Sequence, residues 1–298
     1  MRVVAVFARQ CAAMLRSAIA IVLLAACSLI WPAACLADEA SWEASETLSE
    51  KVNDPTATLT QLQLQDLYTP AEYGTNAQPN TLFARAVIAI QPHGLMPFEQ
   101  IVRPTINLAV TDPDGKRSPT SSGFGDTQIF DLLLSPWPDP AQTRFRWGLG
   151  PYFVLPTASR RLTGAGAWQA GPAAGFEYRG IPGLQIGGLI QQATSFAYTS
   201  EDRTPVTSIT FQPLISYQLG NAWYLESNKA TWTFNLRRKT STEMPLSFGI
   251  GKVWETSSFA SINTSVAGEW MVYRQFAPQT EQFTLKFQVT LLFPRTKL

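Results

Sequence analysis

Cysteine is confined to the first 37 residues, at Cys11, Cys27 and Cys35, and histidine occurs once, at His93. Loss of such a leader leaves no thiol, which excludes disulfides and thiolate metal sites; one histidine cannot make up a zinc ligand set. Long apolar runs are equally scarce. Beyond the leader nothing approaches the roughly 18 consecutive apolar residues that a membrane-spanning helix requires. Charge is sparse and balanced, with 15% charged residues and a formal net charge of +1. Such a chain does not hold nucleic acid by charge. Helix-period segments of useful length, fixed-period repeats and low-complexity tracts are also missing.

The first 37 residues have the pattern of an export signal. Arg2, Arg9 and Arg16 form a basic start, "SAIAIVLLAACSLIW" supplies the apolar stretch, and "CLADEA" offers small residues for a cut after Ala37. A second reading takes "LAAC" as a lipoprotein box acylating Cys27, although the following "SLIWPAAC" stays apolar. Cleavage after Ala37 removes Arg2, Arg9 and Arg16 and no acid, which moves the formal charge from +1 to −2. Residues 38–56 are polar and mildly acidic, a mobile or briefly helical lead-in. The rest, 57–293, reads as one domain with a short tail at 294–298.

What recurs along 57–293 is period-two alternation between turn-rich breaks, the mark of strands with two unlike faces. Twelve such segments stand out, at 57–67, 82–90, 98–110, 124–135, 143–155, 168–179, 184–196, 207–219, 222–236, 244–254, 259–274 and 281–293. In the last, Phe283, Leu285, Phe287, Val289, Leu291 and Phe293 share one side, with Thr284, Lys286, Gln288 and Thr290 on the other. About eleven residues at roughly 3.4 Å each, tilted near 45°, rise about 25 Å, the height of the apolar band of an outer-membrane barrel. The breaks alternate between longer polar ones, such as "TDPDGKRSPTSSG" and "AYTSEDRTPV", and shorter ones, such as "GIPG", "GN" and "ETSS". Long loops at one end and short turns at the other suit a transmembrane barrel with both chain ends on the same side. The predicted fold is therefore all-β: an outer-membrane β-barrel of about twelve antiparallel strands, preceded by a signal peptide.

Parity assigns the side chains. Phe283, Phe287, Val289, Leu291 and Phe293 face lipid on the closing strand, an aromatic ending similar to the assembly signal read by the barrel-assembly machinery. Trp147, Tyr178, Trp223, Tyr224, Trp254, Trp270 and Tyr273 suit interfacial girdles. Charge on the lipid side is expensive, so Arg85, Glu99, Arg103, Arg144, Arg146, Glu177, Arg179, Glu269 and Lys286 are expected to line the lumen. Two segments resist the pattern. "DTQIFDLLLS" puts Asp131 on the face of Ile129 and Leu133, and "AWYLESNKATWTF" changes parity near Glu226, so a bulge or shifted register is expected at each.

Catalytic chemistry has little support. His93 lies in the turn "QPHGLMP". A Ser-His hydrolase of the outer-membrane phospholipase type needs its base beside a nucleophile on the lipid-facing wall. "GAGAWQAG" and "GFGD" are glycine-rich but open no helix, so neither is a phosphate loop. No catalytic residue, metal or cofactor is expected. The "RRK" run at 237–239 suits solvent or lipopolysaccharide phosphates.

"GFGDTQIFDLLLSP", "WGLGPYFVLPTA", "GAGAWQAGPAAGF", "FQPLISYQL" with "WYLES", and "FTLKFQVTLLFP" together resemble the outer-membrane family labelled MetA-pathway of phenol degradation, also called neuromedin-U-like or transporter proteins. The resemblance runs from about Val52 to Pro294, and "PRTKL" after Phe293 departs from endings that stop at the last aromatic. It implies a barrel passing hydrophobic or aromatic small molecules, with outer-membrane lipid and lipopolysaccharide, the assembly machinery and a small-molecule solute as partners. It brings no catalytic set. Two readings stand: a passive channel or uptake protein, and a plugged barrel serving structure or adhesion; an outer-membrane enzyme is third.

Overall fold

The computed structural model describes residues 47–75, 77–92, 96–111, 122–135, 144–227, 230–237, 241–256, 260–276 and 280–293. The leader with its two processing alternatives, His93 itself, residues 238 and 239 of the "RRK" run and the 294–298 tail lie outside these residues.

One helical turn, α1 (Leu48–Lys51), precedes thirteen strands: β1 (Thr60–Tyr73), β2 (Asn80–Ile90), β3 (Gln100–Thr111), β4 (Thr127–Leu134), β5 (Phe145–Leu155), β6 (Ala167–Ile181), β7 (Leu184–Tyr198), β8 (Thr207–Gly220), β9 (Trp223–Glu226), β10 (Trp232–Asn235), β11 (Ser241–Glu255), β12 (Ser261–Gln275) and β13 (Thr280–Phe293). All neighbours are antiparallel, and β1 pairs with both β2 and β13. The short β9 and β10 each pair with β8 on one side and β11 on the other, so together they fill one place. The result is a closed barrel of twelve strand positions.

All twelve expected segments contain strand, but several bounds move. β1 begins at Thr60 rather than at 57, and it continues past two irregularities, between Tyr68 and Glu72, as far as Tyr73. The first break therefore shrinks, and the contrast in loop length between the two ends is weaker than the sequence implies. The ninth segment is interrupted after Glu226, where its parity changes. No bulge occurs at Asp131: β3 and β4 pair without a slip from Gln100↔Leu133 to Ile106↔Thr127. Asp131 thus stays on the outer face, and one of its carboxylate oxygens is buried without a hydrogen-bond partner among the described residues.

Prolines inside strands are unusual, because each removes a ladder donor. Pro151 on β5 stands opposite Pro172 on β6. In an antiparallel sheet the missing donors of such a pair point away from each other, toward the outer neighbours. Pairing lapses at those places, between Phe130/Tyr152 and Leu133/Leu149 on the β4 side and between Ala170/Thr194 and Ala173/Gln191 on the β7 side. Pro104 has the same effect on β2–β3, between Arg85/Thr105 and Ile88/Val102. At the turn from β8 to β9, Asn221 and Ala222 have φ of 51° and 61°, the left-handed pair that a two-residue hairpin of type I′ requires.

The outside is apolar. Leu62, Leu64, Trp147, Leu149, Ile190, Ile215, Phe248, Ile250, Val266, Phe287, Val289 and Leu291 are all exposed large hydrophobics. Register joins them across strands, as in Leu64↔Val289 and Val266↔Phe287, so the patches merge into a belt. A water-facing surface rarely carries one of that extent. Phe283 and Phe293 are half-buried on the same side of β13, Phe283 packing 5.1 Å from the ring of Trp270. Of the expected girdle aromatics, Trp147, Tyr178, Trp223, Trp254 and Trp270 are exposed, whereas Tyr224 is fully buried and points inward.

Replacing both Phe287 and Val289 by Lys should weaken the folded barrel by about 2–4 kcal/mol for each charge held near mid-membrane. Heat-modifiable migration on gels measures this; a double variant that folds as completely as the parent would reverse the assignment of inside and outside.

Candidate functional site

Alternation carries one side chain in two into the lumen, and the lumen has two unlike walls. One is polar: Gln61, Gln63 and Gln65 on β1, Asn263 and Ser265 on β12, and Lys286, Gln288 and Thr290 on β13 are buried there. Some neighbours bond one another, Gln63 Nε2 donating to Gln61 Oε1 at 3.0 Å and Gln288 Nε2 to Thr290 Oγ1 at 2.9 Å. The other wall is apolar. Val87, Ile101, Phe130, Leu132, Leu134, Tyr152, Val154, Ala173, Leu189 and Ala193, from β2 through β7, form one buried cluster.

The end where β1 starts and β13 finishes is occupied by residues 47–59. Thr47 caps α1 in a capping box with Glu50, which satisfies the first free N–H groups of so short a helix. Gln185 Nε2 donates to the Glu50 carbonyl at 3.1 Å, and Gln218 Nε2 to the Ser49 carbonyl at 3.3 Å. Val52 and Leu59 pack with the inward Tyr224, Val253 and Leu292, and Tyr224 donates its hydroxyl to Asn263 Oδ1 at 2.8 Å. Asp54 is the anchor. Its Oδ1 accepts from the Thr56 N–H and hydroxyl, both at 2.6 Å, and its Oδ2 meets Arg146 at 3.1 Å with both side chains almost wholly buried.

The nine charges expected in the lumen separate into distinct settings. Arg146 is bound to Asp54 and stands across from Glu177 on the neighbouring strand. Lys286 pairs with Glu269 at 3.0 Å. Arg144 is exposed at the end that holds α1, Arg179 beside it is half-buried and donates its N–H to the Arg144 carbonyl at 2.8 Å, and the half-buried Glu99 accepts from Gln91 at 3.1 Å. Arg85 and Arg103 form a third setting on β2 and β3. Each guanidinium lies over a phenylalanine, Arg85 over Phe83 at 4.9 Å and Arg103 over Phe130 at 4.1 Å. With Val87, Ile101, Leu214, Gln63, Gln65 and Gln288 they border an interior cavity of about 160 Å³ whose floor is Asn53, Asp54 and Pro55.

The opposite end is tied by loop contacts. Asp126 accepts N–H bonds from Ala158 at 3.2 Å and Ala165 at 2.7 Å, and burial raises its pKa despite them. The exposed Asp202 pairs with Arg161, and the Ser200 hydroxyl together with that arginine holds its carboxyl below the usual range. Among the described residues no group of three or more His, Cys, Asp and Glu could hold a metal ion.

The sequence did not single out Asp54, Thr56 or Phe130, and it placed Tyr224 in a girdle rather than in the lumen. The Asp-Pro-Thr run at 54–56 was a usable signal, since an aspartate that bonds its own backbone two residues on marks a local turn. Phe130 had none, because an apolar residue on the lumen side breaks the rule that parity relies on.

No protein-family model and no curated protein matches the chain. Solved structures similar to it include the NanC porin (TM-score 0.49, 9% identity, 78% of this chain and 100% of that one), the KdgM porin (0.40, 8%, 79% and 99%) and the CymD monoaromatic hydrocarbon channel (0.38, 9%, 80% and 88%). The translocator domain of the autotransporter NalP from Neisseria meningitidis is similar too (0.38, 11%, 82% and 91%).

Asp54→Ala should unseat residues 47–59, because a buried guanidinium that loses its carboxylate costs about 3 kcal/mol or more. A cysteine placed at the fully buried Thr56 is the reporter. It should resist maleimide in the parent and react in the Asp54→Ala background; equal protection in both would show that the pair does not hold the segment.

Proposed function

We propose that this protein is an outer-membrane barrel for passive uptake of small molecules, its periplasmic mouth narrowed by residues 47–59. The observation that carries this reading is a closed barrel with an apolar exterior and, inside it, a cavity of about 160 Å³ lined by Gln63, Gln65, Gln288, Arg85 and Arg103. A barrel that served only as a scaffold could fill its interior with interlocked side chains; here part of it stays open. Lipid is the solvent that suits the belt, and an outer membrane is where closed barrels span. The segments "GPYFVLPTA", "GDTQ" and "AGPAA" support membership in the MetA-pathway phenol degradation family, and a leader ending at Ala37 supports export.

The plugged, non-transporting barrel is the second reading, and the seated N-terminal segment favours it. The two differ in one measurable respect. Proteoliposome swelling in small neutral and anionic solutes should be slow but above background for the mature protein, and distinctly faster after deletion of 47–56. If neither protein passes solute, although both migrate as folded barrels, the uptake reading fails and the plugged one holds.

A further inference from the structure

Arg85 and Arg103 differ from the other charges of the lumen. Register places Arg85 across from Thr105, two residues along β3 from Arg103 and on the same face, so the guanidiniums are diagonal neighbours that repel one another. Among the described residues the other group bearing on both is the Tyr152 hydroxyl, which donates to Gln128 Oε1 at 3.0 Å and carries no negative charge at neutral pH. Arg85 Nε donates to Thr105 Oγ1 at 3.0 Å; Arg103 Nε is buried and has no hydrogen-bond partner among the described residues. The nearby acids are already committed, Asp54 to Arg146 and Glu269 to Lys286. Two like charges in a low-dielectric enclosure, with a donor unsatisfied, are an arrangement that an anion relieves.

The surroundings restrict the anion. Phe83, Val87, Ile101 and Leu214 border the same cavity, and its volume of about 160 Å³ is well below the range of about 300–1,000 Å³ that larger ligands occupy. An inorganic ion would leave that apolar wall unused, and a neutral hydrocarbon would leave the guanidiniums uncompensated. We infer that the Arg85–Arg103 pair is a binding site for a small organic monoanion, a carboxylate on an apolar or single-ring aromatic body, whose carboxylate bridges the two guanidiniums while its body rests on Val87, Ile101 and Phe83. The inference rests on the uptake reading for its role, since it names the class of solute taken up, but occupancy of the site does not require transport.

Binding is therefore measured apart from flux. The folded protein in detergent is titrated calorimetrically with benzoate, benzyl alcohol and acetate, for the parent, Arg85→Gln, Arg103→Gln, the double variant, and Arg161→Gln as a loop control. Benzoate should bind one to one, at least about tenfold tighter than acetate or benzyl alcohol. Each single variant should weaken benzoate by about tenfold or more, the double variant should abolish binding, and the control should match the parent. Benzoate should also raise the melting temperature of the parent and not of the double variant, a readout that compares each protein with itself. Equal benzoate binding by parent and double variant, equal binding of benzyl alcohol, or no benzoate binding by a heat-modifiable parent would each overturn the site. Benzoate binding without swelling would leave the site standing and remove the uptake reading; swelling without benzoate binding would do the reverse.

Discussion

Everything in this molecule depends on β1 finding β13. Their pairing, from Thr60↔Phe293 to Tyr73↔Thr280, joins the first strand to the last and leaves the sheet without an edge. An open sheet of this size would expose rows of unpaired N–H and C=O groups, which lipid cannot satisfy. Closure also fixes what each side chain meets. With period two and no free edge, a slip of one residue would exchange Gln288 for Val289 and turn the belt inside out. The exposed Phe287, Val289 and Leu291 and the buried Lys286, Gln288 and Thr290 are two consequences of the same register.

A closed wall with polar residues inside has a second requirement, that its lumen charges be neutralised. Three solutions coexist. Lys286 and Glu269 neutralise each other across β12 and β13. Arg146 takes Asp54 from the segment that precedes β1 and sits inside the barrel, and so a charge on β5 positions that segment. A buried pair of this kind adds little net stability, since desolvation offsets most of its attraction, but separating it is costly. Its contribution is placement: Asp54 has one favourable position, and α1 and Val52 follow it. The third setting, at Arg85 and Arg103, has no carboxylate partner among the described residues, and the rings of Phe83 and Phe130 provide partial compensation.

The strands were legible because alternation is a local property. All twelve segments contain strand, and the parity break near Glu226 coincides with the interruption between β9 and β10. Legibility ended where a residue's meaning depended on distant neighbours. Asp131 looked like a register error on the assumption that apolar faces turn outward; in fact Phe130, Leu132 and Leu134 turn inward and cluster with Ile101 and Tyr152, their partners on the neighbouring strands. Tyr224 looked like a girdle residue by its place near a strand end, yet it is buried against Val52 and Leu59, a contact that no pattern within β9 encodes. For the same reason the charge count gave Arg144 and Arg146 the same weight as Arg85 and Arg103. Parity says which way a side chain points and nothing about what it meets.

The unlike walls of the lumen follow from which strands must pack against something. On β4 to β7, Gly150, Gly171 and Gly187 bring strands so close that a Cβ would fall 1.6 Å from the Asp131 carbonyl oxygen, 2.1 Å from that of Gln192 and 2.4 Å from that of Phe176. Side chains of intermediate size then fill that half of the interior, as Leu132, Leu189 and Val154 do. β1, β12 and β13 carry glutamines, asparagine and threonines, some of which bond along their own strand, as Gln63 does to Gln61 and Gln288 to Thr290. Arg85 and Arg103 stand on β2 and β3, where the glutamine-rich side gives way to the apolar one. A guanidinium suits that border, since its edge donates hydrogen bonds while its face lies on an aromatic ring. A molecule in the cavity beside them would touch both kinds of surface, so an apolar body with a charged head is the shape that this border complements.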